Sequence, residues 1–315
     1  MTDTHRYRLG AACGVVAGAF WGAVFLAPKL LAGFSPLQMT AGRYLAYGLA
    51  SAVLIAPAWR SVAGRVTRAD WLALTWLSLA GNIVYYLFLA ASVQIAGVAP
   101  ASLIVGLLPV TVTLIGSRHD GAVPLRKLAA PLVLIGLGVL CINLAVFTGG
   151  GGGASLVKLA FGVACAFGAL ATWTVYAVGN ARHLARHPHF TNGEWSLLTG
   201  LVTGGLSAVI AVPAFMTGFA AHLPADWLRF VGVSFAVAIG ASIIGNGLWN
   251  AASRLLPLTL SGQLIVFETV FALFYGFLYE RRVPGALEAA AIALLLAGVF
   301  WSVRLHRDRP PEHAA

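Results

Sequence analysis

Charged side chains are scarce in this sequence. Asp, Glu, Lys and Arg make up 10% of the 315 residues, whereas a soluble globular domain carries roughly 25% of them because its surface faces water. Hydrophobic residues make up 59% of the chain, and the mean hydropathy is +0.86. So few charges cannot cover a water-facing surface of this size. The composition therefore excludes an ordinary soluble domain and predicts a membrane protein.

Cysteine pairs and nucleotide-binding motifs are missing as well. The three cysteines, Cys13, Cys141 and Cys165, stand singly in apolar segments without CxxC spacing, so we expect small buried side chains and neither a disulfide nor a metal site. No GxxxxGK[ST] sequence occurs, which excludes ATP hydrolysis by a P-loop on this chain. The net charge of +10 arises between the apolar runs, so it indicates membrane topology and no nucleic-acid partner. No cofactor is predicted.

Apolar runs of the length that crosses a bilayer recur along the chain. About 20 residues span a hydrocarbon core of about 30 Å. Backbone amides in lipid must be hydrogen-bonded within their own segment, so each run is predicted to be a helix. The sequence thus predicts an all-α polytopic membrane protein with ten transmembrane helices. The ten spans lie near residues 9–32, 38–57, 70–95, 99–117, 126–147, 157–181, 193–216, 226–252, 257–279 and 285–303.

The basic residues predict the orientation of these spans. With the N-terminus inside, fourteen of the twenty Lys and Arg residues fall in inner connections and four in outer ones. Because Lys and Arg are retained on the cytoplasmic side, both termini are expected there. One inner connection, 181–194, contains His183, His187 and His189. A metal site is conceivable, but three histidines without an acid or cysteine nearby in the sequence favour a solvated basic loop.

The chain divides into two similar halves. A Gly-rich segment, 149–156, is predicted to be a flexible linker between five-helix repeats at 1–148 and 157–304, with a cytoplasmic tail at 305–315. Trp21 precedes Pro36 by fifteen residues, as Trp173 precedes Pro188. Five is an odd number, so the second half enters the membrane from the opposite side. This predicts two inverted repeats, an arrangement common in secondary transporters.

Two short stretches carry the same repeat. GNIVYY at 81–86 and GNGLWN at 245–250 each place an asparagine in a long apolar run. An unpaired amide costs roughly 4–8 kcal/mol in hydrocarbon. Asn82 and Asn246 are therefore expected either to bridge helices or to line a water-filled cavity. Tyr86 and Asn250, one turn further on, favour the cavity.

Other features predict close helix packing for the first span and a ligand-binding role for the ninth. Gly10, Gly14, Gly18 and Gly22 recur every four residues and are expected to let another helix approach closely. Glu268 lies near the middle of its span, where a carboxylate is expensive and usually functional. We expect it to line the cavity with Gln263 and to bind an ammonium group or a proton; pairing with a neighbouring helix is the alternative. The predicted substrate-binding residues are Trp21, Phe25, Asn82, Tyr85, Tyr86, Trp173, Tyr176, Asn246, Trp249, Asn250, Gln263 and Glu268.

The chain resembles a transporter family. The resemblance rests on Trp21, Phe25 and Lys29 in the first span, Arg43 in the second, and YERRVP closing the ninth. These resemble the drug/metabolite transporter (DMT) superfamily, in its EamA-like branch, and most of all the YddG-type aromatic amino-acid exporters. A Glu and a nearby Pro end the fourth helix of that family's repeat, as Glu280 and Pro284 do here. The first half departs from it, because SRHDGAVP keeps Pro124 but offers only Asp120.

The resemblance implies a function that agrees with the residues. We expect a secondary transporter of the bacterial inner membrane that exports amino acids by alternating access, with a small-molecule solute and the lipid bilayer as its partners. Since one chain supplies both halves, a monomer suffices. An exporter of drugs, quaternary ammonium compounds or another metabolite remains the alternative. An intramembrane lipid-modifying enzyme is more distant, because the spans offer essentially Glu268 alone for acid–base chemistry.

Overall fold

The computed structural model describes residues 3–96, 101, 104–116, 124–147, 156–216 and 222–307. Within these ranges the regular structure is helical. We label the main helical segments α1 His5–Leu30, α2 Pro36–Ala63, α3 Arg68–Ala96, α4 Leu108–Gly116, α5 Leu125–Phe147, α6 Val157–Arg186, α7 Asn192–Met216, α8 Pro224–Leu255, α9 Leu260–Tyr279 and α10 Ala286–Leu305.

Eight of these helices, all except α4 and α5, are long and apolar enough to cross a membrane. The prediction of an all-α polytopic membrane protein is thereby confirmed for the described residues. The count of ten spans stays a prediction, because residues 97–100, 102–103 and 117–123 lie outside the described part. Most of the predicted linker, 149–155, and the end of the predicted tail, 308–315, also lie outside it.

Local sequence signals account for where several helices begin. Ser35 caps α2 by accepting a hydrogen bond from the Gln38 amide at 3.2 Å, and the Gln38 side chain accepts one from the Ser35 amide at 2.9 Å. Thr67 and Asp70 form the same reciprocal arrangement at the start of α3. Such capping boxes satisfy backbone donors that have no partner within the helix. They fix the entry of α2 and α3 into the bundle.

Helices from the two halves pack against each other in pairs. The most extensive contacts join α2 to α7, α5 to α10 and α3 to α6, while α1 packs between α8 and α9, and the first turns of α9 pack on α4. The core is therefore built largely between the halves rather than within each of them.

The glycines of α1 bring it close to α9, as predicted. A Cβ at Gly14 would overlap the Leu264 side chain, and a Cβ at Gly22 would lie 2.7 Å from the Ala272 backbone nitrogen. Gly18 is equally close to Phe267. Small residues at a membrane helix interface allow this backbone approach. The predicted glycine ridge is confirmed as a packing surface.

A second close approach joins α2 to α7 and supports a stability prediction. A Cβ at Gly204 would lie 2.5 Å from the Gly48 Cα, whereas a Cβ at the adjacent Gly205 would meet nothing within 4 Å. We expect Gly204→Ala to destabilise the protein by ~1–3 kcal/mol through overpacking, and Gly205→Ala to be neutral or to stabilise its helix by up to about 1 kcal/mol. Thermal unfolding in detergent measures both. Equal melting temperatures for the two variants would contradict this packing.

The two GN pairs mark interruptions of regular α-helix. α3 contains a π-helical segment at Leu79–Val84, and α8 contains one at Ala238–Gly245. A π-helix frees backbone carbonyls and is frequent at functional sites. The Trp21 indole N–H donates to the Ala241 carbonyl at 3.1 Å, and the Ser196 hydroxyl donates to the Ser242 carbonyl at 3.3 Å. Other helices thus satisfy the carbonyls of the interrupted segment.

Candidate functional site

A buried cavity lies where α1, α2, α3, α6, α8 and α9 converge. The π-helical segment of α3 contributes Gly81 and Asn82 to its lining, and Asn246 directly follows the π-helical segment of α8. Its free volume is about 20 Å³, which is room for one or two water molecules. The cavity is lined by Trp21, Val24, Arg43, Tyr44, Gly81, Asn82, Tyr85, Trp173, Tyr176, Asn246 and Glu268.

Aromatic rings form one wall of this cavity. Trp21 of α1 lies 5.5 Å from Trp173 of α6, edge to face, and 5.3 Å from Trp249 of α8. Trp173 in turn lies 5.8 Å from Tyr176 and 6.4 Å from Tyr85, measured between ring centroids. These separations are typical of aromatic packing. The wall offers flat apolar surfaces contributed by both halves of the chain.

Two opposite charges line the same cavity. Arg43 and Glu268 are each 7% exposed. One guanidinium nitrogen of Arg43, Nη2, donates to the Ser242 hydroxyl at 3.2 Å, and the guanidinium lies 4.5 Å from the Tyr86 ring centroid. Its Nε and Nη1 donors are buried and have no partner among the described residues. These unused donors can donate hydrogen bonds to an anionic group.

The Glu268 carboxylate has no direct hydrogen-bonding or ion-pair partner among the described residues. A buried charge is costly without a partner. The Arg43 guanidinium of α2 nevertheless acts electrostatically on this carboxylate within the same cavity. Both expectations for Glu268 therefore stay open: partnership with a neighbouring helix and binding of a ligand.

The two repeated asparagines both reach the cavity. Asn82 lines it and also donates from its amide to the Thr203 hydroxyl of α7 at 3.1 Å, so it serves both expected roles. Asn246 lines the cavity from the opposite half. Next to each, the glycine admits an aromatic ring: a Cβ at Gly81 would overlap the Tyr176 ring, and one at Gly245 would lie 2.9 Å from Trp21 Nε1. Each GN pair therefore combines a side-chain amide with a glycine that leaves space for an aromatic ring.

Several predicted residues lie behind the cavity wall. Tyr86 stacks beneath the Arg43 guanidinium, and Trp249 packs on Trp21 and Trp173. Gln263 is fully buried, and its amide nitrogen and oxygen have no partner among the described residues. The predicted residues that line the cavity are Trp21, Asn82, Tyr85, Trp173, Tyr176, Asn246 and Glu268, and those that do not are Phe25, Tyr86, Trp249, Asn250 and Gln263.

Asn250 belongs to a hydrogen-bond network rather than to the cavity surface. Its side-chain oxygen accepts from the Asn180 amide at 2.9 Å, and the Asn180 oxygen accepts from the Trp195 indole at 2.8 Å. The network ties α8 to α6 and α7. This is the bridging role that asparagine plays between membrane helices.

The contrast between Asn246 and Asn250, one turn apart on α8, leads to a prediction. We expect Asn246→Ala to raise the KM for transported solute with little change in thermal stability. We expect Asn250→Ala to lower the melting temperature, because the Asn180 amide loses its acceptor at a cost of ~1–3 kcal/mol, and to leave the KM unchanged. Flux in proteoliposomes and unfolding in detergent separate the two effects. A raised KM in the Asn250 variant without loss of stability would contradict the assignment.

The remaining lining residues differ in how far they could be predicted from the sequence. Arg43 was singled out as a charged residue of the second span, but only as part of the family resemblance. Tyr44, Val24 and Gly81 were not predicted to line a cavity. An isolated tyrosine or valine in an apolar run carries no signal of its own, because membrane cores contain many of them.

The described fold and cavity define a multi-pass helical membrane protein with a polar, aromatic-lined site enclosed by its helices. The model of the EamA-like transporter family matches residues 8–144. The inner membrane protein YtfF of Escherichia coli (strain K12) is 33% identical over 313 residues, which covers 96% of this chain and 97% of YtfF. The chain belongs to the EamA-like transporter family.

A solved structure has a fold similar to that of this chain. One crystal structure of a protein is similar to this chain with a TM-score of 0.73 and 23% identity, and the match covers 95% of this chain and 97% of that one. The EamA-like resemblance is thus confirmed, and the family indicates a transporter rather than an enzyme. The finer resemblance to YddG-type exporters stays a prediction.

Proposed function

We propose that this protein is a secondary transporter that exports amino acids, aromatic ones included, by alternating access. The observation that carries the proposal is that Arg43 and Glu268 are both buried in one aromatic cavity without a direct salt bridge between them. A guanidinium binds a carboxylate through charge-assisted hydrogen bonds, and a carboxylate binds an ammonium group. An amino acid carries both groups on one carbon atom, so it satisfies both charges at once.

The rest of the lining suits the side chain of such a solute. Trp21, Trp173 and Tyr176 offer faces and edges for an apolar or aromatic side chain. The Tyr44 hydroxyl is buried without a partner among the described residues and can bond a polar atom of the solute. This combination favours broad recognition of amphipathic solutes, because stacking is tolerant of shape while the charges fix the orientation.

The size of the cavity supports alternating access. Its free volume of about 20 Å³ holds one or two waters, so no amino acid fits without movement of the helices. We propose that this is a closed arrangement and that α3 and α8, each interrupted by a π-helical segment, move to open it. Local departures from regular α-helix commonly mark the points at which a helix bends.

The helix pairing supports the inverted repeat on which this mechanism rests. If each helix corresponds to the helix five places later, α2–α7, α5–α10 and α4–α9 are contacts between counterparts, and α3–α6 corresponds to α8–α1. When each helix is replaced by its counterpart in the other half, these contacting pairs of helices are converted into one another. A transporter whose halves exchange places can reach an opposite-facing state with the same contacts. The cavity is built from one chain, which supports a functional monomer.

The predicted orientation, with both termini cytoplasmic, also stays a proposal. The distribution of Lys and Arg places the α2–α3 and α6–α7 connections on the same side of the membrane, and these two connections do contact each other. The Arg65 guanidinium pairs with Glu194 and also donates to the His189 carbonyl at 2.6 Å.

An exporter of quaternary ammonium compounds is the second candidate. The aromatic wall and Glu268 suit a cation, since aromatic faces attract one. Arg43 argues against this candidate. Its positive charge in the same small cavity repels a cationic solute that has no carboxylate to bind the guanidinium.

Counterflow in proteoliposomes distinguishes the two candidates. Vesicles that contain the purified protein and an internal unlabelled amino acid are expected to accumulate the radiolabelled amino acid saturably. Protein-free vesicles serve as the control, and a labelled quaternary ammonium compound is expected to show no counterflow. If no amino acid shows saturable flux and the ammonium compound does, the protein is an exporter of quaternary ammonium compounds and the amino-acid proposal is wrong.

A further inference from the structure

An aspartate and three histidines cluster at the end of the bundle where α3 begins and α6 ends. Asp70 is fully buried in the first turn of α3. Its Oδ1 lies 2.9 Å from Nε2 of His183 and 3.4 Å from Nδ1 of His187. Its Oδ2 accepts hydrogen bonds from the Thr67 amide at 2.9 Å and hydroxyl at 2.7 Å. One carboxylate oxygen is thus anchored, while the other faces imidazole nitrogens.

The cluster has the composition of a metal site and brings its possible ligand atoms near one another. One ligand atom from each of Asp70, His187 and His189 lies within 4.8 Å of the other two. Tetrahedral zinc with bonds of about 2.0–2.1 Å holds its ligand atoms roughly 3.3 Å apart. The three groups therefore need an inward movement of about an ångström. His189 has an exposed ring in the turn between α6 and α7, so a side-chain rotation there can supply much of it.

We propose that Asp70, His187 and His189 bind a divalent transition-metal ion of the Zn²⁺ type, with water in the fourth position. Two imidazole nitrogens and one carboxylate oxygen suit zinc, whereas calcium and magnesium prefer sites made of oxygen alone. His183 positions the carboxylate through its bond to the same Oδ1. Orientation of a first ligand by such an outer partner is usual in metal sites.

The histidine rings of the cluster stack on one another. The His183 and His187 rings are parallel, with centroids 4.2 Å apart, and His183 also stacks on Trp195 at 4.6 Å. The stack orients the His187 ring, as outer partners commonly do for metal ligands. The Arg65 guanidinium pairs with Glu194 and donates to the His189 carbonyl at 2.6 Å, which ties the α6–α7 turn to the segment before α3.

A metal ion here would connect α3 and α6, two helices that also contribute residues to the cavity lining. It would clamp the first turn of α3 to the end of α6 and to the α6–α7 turn. α3 carries Asn82 and Tyr85, while α6 carries Trp173 and Tyr176. The site was hidden from the sequence because its acid is distant along the chain: Asp70 precedes His183 by 113 residues. The histidines were therefore expected to form a solvated basic loop.

Direct metal binding by the full-length protein tests the proposal. The protein is purified in detergent with an affinity tag that contains no histidine, stripped with a chelator, and titrated with Zn²⁺ by calorimetry. We expect one ion per chain, and Co²⁺ in its place should give the visible absorption of a tetrahedral site. His187→Ala and His189→Ala are each expected to weaken binding at least tenfold. His222→Ala, whose ring stacks on Phe34 instead, is the control and should bind normally.

The His189 variant keeps the test independent of folding. Asp70→Asn removes a ligand but also disturbs the capping of α3, so loss of binding there can follow from unfolding. His189 is exposed, and its replacement leaves those contacts in place. No Zn²⁺ binding by the wild type, or equal binding by the wild type and His189→Ala, would overturn the proposal and leave the histidines as hydrogen-bond partners of Asp70 alone.

Discussion

Glu268→Gln is expected to reduce amino-acid flux about ten- to a hundredfold. The variant keeps the shape of the side chain and removes the charge that, in this account, binds the ammonium group inside the cavity. A hydrogen bond to a charged group contributes ~1.5–3 kcal/mol, which corresponds to this range. The measurement is the initial rate of radiolabelled amino-acid counterflow in proteoliposomes at several solute concentrations. We expect the loss to appear mainly as a raised KM.

Glu194→Gln is the matched control for this experiment. Glu194 pairs with Arg65 at the end of the bundle, and both side chains are partly exposed. Such pairs contribute ~0–1 kcal/mol, so flux should stay near that of the wild type. If Glu268→Gln transports amino acids as the wild type does at every pH tested, Glu268 does not bind the solute, and the proposed recognition is wrong.

Arg43→Gln is expected to cause a similar loss, but a selective one. The variant removes the donors that are proposed to bind the solute carboxylate, namely Nε and Nη1. Amino-acid flux should fall about ten- to a hundredfold, from the loss of a charge-assisted bond of ~1.5–3 kcal/mol. The corresponding amine, which lacks the carboxylate, should be transported no worse by the variant than by the wild type. Competition by the amine against labelled amino acid measures this selectivity.

Arg65→Gln provides the control, since Arg65 lies outside the cavity and pairs with Glu194. Arg43 also holds Ser242 of α8 and stacks on Tyr86, so its replacement can alter packing. Thermal unfolding of the same preparation checks that effect. Equal losses for the amino acid and for its amine would contradict a role in carboxylate binding and would assign Arg43 to packing alone.

The sequence predicted the class of fold because that class follows from local physics. Apolar runs of membrane-spanning length become helices wherever the backbone has no water to bond, and the glycines at every fourth position of α1 do lie against α9. Asn82, Asn246 and Glu268 were identified because polar groups in lipid are rare and conspicuous. All three reach the same cavity.

The parts that could not be predicted depend on contacts between distant segments. The π-helical segments at Leu79–Val84 and Ala238–Gly245 leave no residue pattern that distinguishes them from regular helix. Asn250 resembled Asn246 in the sequence, yet its partner Asn180 turns it into a bridge between helices. Asp70 could not be associated with the histidines, because only folding places it beside them.

The central claim is that one cavity recognises both charges of an amino acid, and matched solutes test it most directly. Wild-type proteoliposomes are presented with an aromatic amino acid, the amine without its carboxylate and the acid without its ammonium group. The account predicts saturable flux of the amino acid, with each analogue competing at least tenfold more weakly. Equal competition by either analogue, or no saturable amino-acid flux at all, would contradict it.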